Sequence, residues 1–263
     1  MKQQIVKNED EPELDNIADA QKKMEKNEKQ KNVDSGFAWI VVFGSFIQHV
    51  TVVGCMYSSG ILFSALLEEF KLGRGPTSLP SALHYGLLLG CGIPVGVMID
   101  NFGLKMTNFF GGCVLLIGYI GAALSPELWL VTLTYGVLGG YGACHCYLPA
   151  VQIIPQYFKA KRALAMGIAV AGAGVGTFSM PIIFSAMFQK LGWRWGLVIA
   201  GLICFVSSSF FSFVCLYDGP LKPKIPEEEM KKRRQRTVCK AFCDVFDKRL
   251  IAMHEFKIFL VAW

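Results

Sequence analysis

The sequence predicts an all-α membrane protein: a bundle of six transmembrane helices, followed by the start of a seventh. Three observations lead there. Of 263 residues, 53% are hydrophobic and 17% charged, and the mean hydropathy is +0.42. A soluble domain carries about 25% charged residues. The charges are also unmixed, crowding into residues 1–34 and 218–257 and thinning out between. Finally, six apolar segments lie between those ends, each long enough for the ~20 residues a helix needs to cross a hydrocarbon core. Apolar sequence on that scale is solvated by lipid, where a helix satisfies its own backbone hydrogen bonds.

Residues 1–36 hold seven Lys against nine Asp and Glu and read as a solvated, disordered cytoplasmic tail. A secretory signal needs an apolar core within the first ~15–30 residues, and these residues are polar. Residues 37–217 form the bundle, with segments drawn at 37–67, 79–99, 106–124, 128–154, 163–188 and 195–217. The first is overlong, and its Gly54 and Gly60 permit tilt or a bend. Connections include "EEFKLGRGPTS" at 68–78 and "SPE" at 125–127. Residues 218–254 form a basic linker, whose Pro spacing and charge blocks in "DGPLKPKIPEEEMKKRRQR" read as flexible chain. Within it Phe242, Phe246 and Leu250 recur every four residues, an amphipathic stripe suited to the inner membrane surface. Residues 255–263, in the run "EFKIFLVAW", are too few to span and are expected to be the truncated start of a seventh transmembrane helix.

Lys and Arg set the orientation, because they collect on the cytoplasmic side. With the N-terminus inside, the inner turns hold Lys105, Lys159, Lys161 and Arg162, with ten more cations between Lys222 and Arg249. The outer ones hold Lys71, Arg74, Lys190 and Arg194. The tail and basic linker are therefore expected to be cytoplasmic. The net charge of +6 sits where a multi-pass protein puts it, and it argues against a nucleic-acid partner.

Chemistry at membrane depth is sparse. Seven of the nine cysteines fall inside apolar runs, as small hydrophobes do. In Cys144-His145-Cys146, neighbours one and two apart point to different helix faces, so no metal site is expected. Asp100 and Glu127 both lie at turns, leaving no carboxylate pair or activated nucleophile; the chain is not expected to be an enzyme or to need a cofactor. Polar residues near the middle of the segments are the candidates for solute binding: Tyr57, Ser58, Tyr85 and Tyr147, with His49, Ser59 and His84 beside them. The two histidines either carry protons or make helix–helix hydrogen bonds. In the fifth segment Ala163, Gly167 and Ala171 are four apart, as are Gly172 and Gly176. Small residues allow close backbone approach in lipid. Here they either pack the helix tightly or let it rock against a second bundle.

Four stretches carry a family resemblance. "DSGFAW", with Asp34, Gly36 and Trp39, resembles an acidic-Gly-Gly-aromatic-Gly-Trp lead-in motif, Ser35 and Ala38 replacing glycines. "YFKAKRALAMGIAVAGAGVG" at 157–176, which holds Arg162 and Gly167, is similar to a fifth-helix signature nearly position by position. "GWR" at 192–194 and "FCDVFDKRL" at 242–250 match the approaches to the sixth and seventh helices. A weaker fifth element, "GVMIDNFGLKM", resembles a Gly-x-x-x-Asp-Arg-x-Gly-Arg turn, with Asp100, Gly103 and Lys105 in place and Asn101 for its arginine. Together these resemble the N-terminal half of a monocarboxylate transporter in the major facilitator superfamily. The resemblance implies a half built of 3+3 inverted repeats. It implies alternating access about a central site for a small organic solute such as a monocarboxylate, with proton coupling open. Asp34, Gly36, Trp39, Asp100, Gly103, Lys105, Arg162 and Gly167 would then serve gating or structure. The implied setting is the plasma membrane, and the implied partners are lipid and either a second six-helix half or an accessory membrane glycoprotein. Proton-coupled lactate carriers of this family use a first-helix lysine, and Tyr57 or Ser58 stands there instead. The alternative is a truncated, non-transporting membrane protein acting as a regulatory partner.

Overall fold

The computed structural model describes residues 33–34, 36–216 and Leu221. Most of the tail, the basic linker with its stripe, and the expected seventh helix lie outside the described residues. Among the described residues the chain is helical with no strand. Helices α1 (Gly36–Tyr57) and α2 (Ser59–Phe70) part only at Ser58. Then come α3 (Arg74–Gly90), α4 (Gly92–Leu124) and α5 (Leu128–Val131), the last running through a π-helical stretch (Thr132–Gly139) into α6 (Gly140–Gln152). Next are α7 (Ile154–Tyr157) and α8 (Arg162–Phe210), closed by a π turn (Phe211–Cys215).

The stretch expected as a connection at 68–78 is mostly helix, with only residues 71–73 outside one. Lys71 takes a left-handed φ of 51° and its N–H bonds to the Leu67 carbonyl, ending α2. Pro76 falls in the first turn of α3, where a missing N–H leaves no bond unmade.

Both α4 and α8 are two helices that meet at a glycine, Gly103 (φ 82°, ψ 166°) and Gly192 (φ 80°, ψ 159°). That positive-φ, extended backbone is closed to residues with a Cβ, so these positions require glycine. The packing register shows the chain turning back at each. Gly172 lies against Phe46 and Gly176 against Val50, so this part of α8 runs parallel to α1. Beyond Gly192 the order inverts: Cys204 meets Cys55, Ser207 meets Thr51 and Cys215 meets Ile40. Likewise His84 and Met98 meet Tyr135 and His145 in rising order, whereas beyond Gly103 Gly111 meets Gly142 and Gly118 meets Thr134.

Counted as unbroken helix, three stretches among the described residues are long and apolar enough to cross a membrane: Gly36–Phe70, Gly92–Leu124 and Arg162–Cys215. Large apolar side chains stand bare on the outside, with Phe178 80%, Leu124 77% and Ile182 72% exposed. A soluble monomer does not leave apolar surface on that scale uncovered. Inside, one apolar cluster gathers Tyr119, Tyr135, Leu62 and Leu197, and a second, at the cytoplasmic end of the expected orientation, gathers Ile153, Ile154, Phe158 and Phe211.

Candidate functional site

Ser58 breaks the first long helix beside its aromatic residues, and the break places them. Tyr57, half exposed, meets Tyr85 of α3 edge-on at 6.1 Å. Tyr85 Oη donates to the Met56 carbonyl at 3.0 Å and accepts from Ser59 Oγ at 3.4 Å. The break frees carbonyls at the end of α1, and Tyr85 takes one of them. Two turns back along α1, His49 meets Tyr147 of α6 edge-on at 5.3 Å. The structure thus sets Tyr57 with Tyr85 and Tyr147 with His49 along α1. It does not bring Ser58 into that face. Ser58 is buried and its hydroxyl donates to the Gly54 carbonyl at 2.8 Å, within its own helix.

Both candidate histidines have one nitrogen committed. His49 Nδ1 lies 2.7 Å from the Ser45 carbonyl and His84 Nδ1 3.0 Å from the Tyr135 carbonyl. A carbonyl only accepts, so each Nδ1 donates and in the neutral ring each Nε2 presents a lone pair, buried and without a hydrogen-bond partner among the described residues. His84 stacks on Tyr135 at 4.7 Å, inside the π-helical stretch. His145, read only as part of a rejected metal triplet, donates from Nδ1 to Tyr141 at 2.9 Å and faces the Met98 sulfur at 3.1 Å. Among the described residues no group of three His, Cys, Asp or Glu comes together.

The predicted gating residues sit at helix ends and turns, apart from Gly167, which lies inside α8. Asp34 has a left-handed φ of 55°, and its N–H donates to Tyr157 at 3.1 Å. Its carboxylate accepts from the N–H groups of Ala160 and Lys161 at 3.3 and 3.4 Å. A negative charge at the start of α8 satisfies backbone donors there and favours the helix dipole. The lead-in to α1 is therefore tied to the head of α8. Trp39 packs edge-on against Phe158 at 5.2 Å. Gly36 opens α1, Arg162 opens α8, and both are exposed. Asp100 is exposed one turn before Gly103, and Lys105 lies over the Phe213 ring at 4.8 Å. A Cβ on Gly167 would meet nothing within 4 Å, whereas Gly172 and Gly176 press on the α1 backbone.

Two networks went unread in the sequence. Arg194, just past the Gly192 turn, donates to the carbonyls of Ala123 and Ser125 at 2.8 and 2.9 Å and pairs with Glu69 at 3.2 Å. Those carbonyls end α4 and lack helical partners. The ion pair itself is more than a third exposed and contributes little; the carbonyl bonds do more. Replacing Arg194 with alanine is expected to cost about 1–3 kcal/mol, and lysine, lacking the planar fork, should recover only part. Thermal unfolding in detergent measures both. The second network surrounds Asn108, whose Nδ2 donates to the Ser208 carbonyl at 2.9 Å and to Ser212 Oγ at 2.8 Å. A lone amide in an apolar segment was its only sequence signal. A cavity of about 480 Å³ lies elsewhere, lined by Phe70, Leu79, Leu128 and Trp129 at the far end of α2 from Tyr57.

The family model for the Major Facilitator Superfamily matches residues 40–262. Monocarboxylate transporter 14 of Homo sapiens is 36% identical over 172 residues, covering 65% of this chain and 34% of that protein. Monocarboxylate transporter 3 of Gallus gallus is 31% identical over 175 residues, covering 65% and 32%. The chain spans about a third of the length of these curated relatives. Among solved structures, the peptide transporter POT in complex with sulfate superposes with a TM-score of 0.60 at 19% identity, covering 90% of this chain and 52% of that one. At that identity the likeness speaks for the fold.

Proposed function

The chain belongs to the Major Facilitator Superfamily, and from that membership we propose that it forms one half of a carrier for small organic solutes, monocarboxylate-like, that works by alternating access. The observation that carries this reading is the family match over residues 40–262, with relatives named monocarboxylate transporters. The reversals at Gly103 and Gly192 support six crossings in this half, α4 and α8 each supplying two. The tail and the basic linker lie on the cytoplasmic side of the plasma membrane. The solute sits at the face set by Tyr57, Tyr85 and Tyr147, where a second six-helix half closes the site; an accessory membrane glycoprotein is the other partner of this reading.

Residues 37–67 hold no Lys, Arg, Asp or Glu, so the first long helical stretch offers an anionic solute aromatic rings and hydroxyls and no fixed cation. The lone pair on His49 Nε2 can accept a proton beside Tyr147, and proton coupling is proposed on that ground. The test joins this chain to the second half of the 36%-identical human relative and measures saturable uptake of labelled short monocarboxylates into vesicles. Uptake should appear in the joined protein and be absent from vesicles holding this chain alone. No uptake from a joined protein that folds and reaches the membrane would remove the proposal.

A further inference from the structure

Cys55 of α1 and Cys204 of α8 lie 149 residues apart in sequence, yet their sulfurs are 3.4 Å apart. Both are buried, at 2% and 0% exposure. The cysteines nearby have other neighbours: Cys146 Sγ meets Ser208 Oγ at 3.4 Å, and Cys215 Sγ donates to the Ile40 carbonyl at 3.8 Å. We propose that Cys55 and Cys204 are a built-in redox pair, closing to a disulfide that staples α1 to the last part of α8. This inference concerns the bundle itself and does not depend on which solute is carried.

The surroundings hold the two sulfurs in place. One turn inward, Thr51 Oγ1 and Ser207 Oγ share a hydrogen bond of 2.9 Å, and Ser207 also donates to Gln48 Oε1 at 3.3 Å. On the other side of α1, Gly54 lies against Gly176, with a would-be Cβ 3.0 Å from the Gly176 backbone. α1 is thus gripped from two directions beside Cys55. A disulfide bond is about 2.05 Å long, so closure asks the sulfurs to approach by only about 1.4 Å.

The step balances with hydrogen peroxide as oxidant, a small neutral molecule. Cys55, the less deeply buried, is oxidised first. Its sulfur gains an oxygen as a sulfenic acid and one water is released. The Cys204 sulfur then attacks it. The S–S bond forms, the S–O bond breaks, and the departing hydroxyl leaves with the Cys204 thiol proton as a second water. Two thiols have given two electrons to one peroxide. Burial makes the first step slow, because the oxidant must reach an enclosed sulfur. It also shields the finished bridge from attacking thiolates, so the oxidised form persists. The staple falls three residues before the interruption at Ser58.

The test uses the full chain in membrane vesicles. Vesicles are treated with hydrogen peroxide, free thiols are trapped with N-ethylmaleimide, and digested peptides are weighed without reductant. The expected product joins the peptides of Cys55 and Cys204 and is two hydrogens lighter than their sum. It disappears on reduction and in both Cys55→Ser and Cys204→Ser, whose folding under reducing conditions is checked by size-exclusion chromatography. Oxidation should also raise the wild-type melting temperature by at least about 4 °C. The proposal is overturned by a bridge from either cysteine to a different partner. It is equally overturned if Cys55 proceeds to the sulfinic acid unlinked, or if both thiols stay free while exposed methionines oxidise.

Discussion

Gly176→Leu is expected to prevent the bundle from folding, while Gly167→Leu, nine residues earlier on the same helix, leaves it intact. At Gly176 a Cβ alone would lie 2.5 Å from the Val50 carbonyl oxygen, 3.0 Å from the Val50 Cα and 3.1 Å from the Gly54 Cα. These are backbone atoms of α1, and no rotamer change moves them. The two helices must separate, and the stripe of α8 that includes Ala165, Ala169 and Gly172 loses its contact along the whole pair. Overpacking a tight site costs about 1–3 kcal/mol, and more where neighbours cannot yield; here the upper end or beyond is expected. Helices in lipid have little hydrophobic force to hold them once backbone contact is lost. At Gly167, which is exposed, a Cβ would meet nothing within 4 Å, and the cost should stay within about 0.5 kcal/mol. The yield of monodisperse protein and its thermal midpoint in detergent compare the two directly. Equal stability in the pair would mean that α1 and α8 do not meet as described.

The contrast also marks where sequence reasoning stops. The small residues of the fifth segment were legible as a packing device, because lipid rewards close approach. Which of them face a neighbour was not, since glycines and alanines occur on several faces and their period alone does not choose one. The positive-φ turns at Gly103 and Gly192 were legible through the cations and polar residues around them, Lys105 and Lys190 among these. The π-helical stretch at 132–139 had no such signal. It depends on tertiary packing, with His84 taking the Tyr135 carbonyl across from another helix.

The candidate site divides the same way. An intramembrane Tyr or His is conspicuous in an apolar run, so Tyr57, Tyr85, Tyr147 and His49 could be picked by residue type. Their pairing could not, because it depends on the register of α1 against α3 and α6. Ser58 shows the limit of picking by type. A serine can satisfy itself on the carbonyl four residues back, as Ser58 does on Gly54, and nothing in its sequence neighbourhood announces that. By sequence Arg194 is one of the outer cations, a role that needs only its charge. The carbonyls of Ala123 and Ser125 that it holds lie some seventy residues away and became visible only with the fold.

In the joined carrier, Gly167→Leu is expected to reduce uptake at least tenfold while the protein still folds and reaches the membrane. Gly167, Ala171 and Gly174 form an exposed strip on α8, turned away from the buried line of Ala165, Ala169, Gly172 and Gly176. A Cβ at Gly174, as at Gly167, would touch nothing within 4 Å. Alternating access needs the second half to rest against this half in two arrangements, and a strip with nothing larger than a methyl is where one backbone can pass another. A leucine there leaves this half alone but obstructs the partner, so both arrangements lose contact or one is trapped. Tyr85→Phe is the companion change. It removes the hydroxyl that holds the Met56 carbonyl at 3.0 Å while keeping the ring that meets Tyr57, and it should weaken uptake severalfold without abolishing it. Initial uptake rates, normalised to protein in the membrane, separate the two effects. Full uptake with Gly167→Leu would place the moving contact on another helix and leave the glycine strip to face lipid.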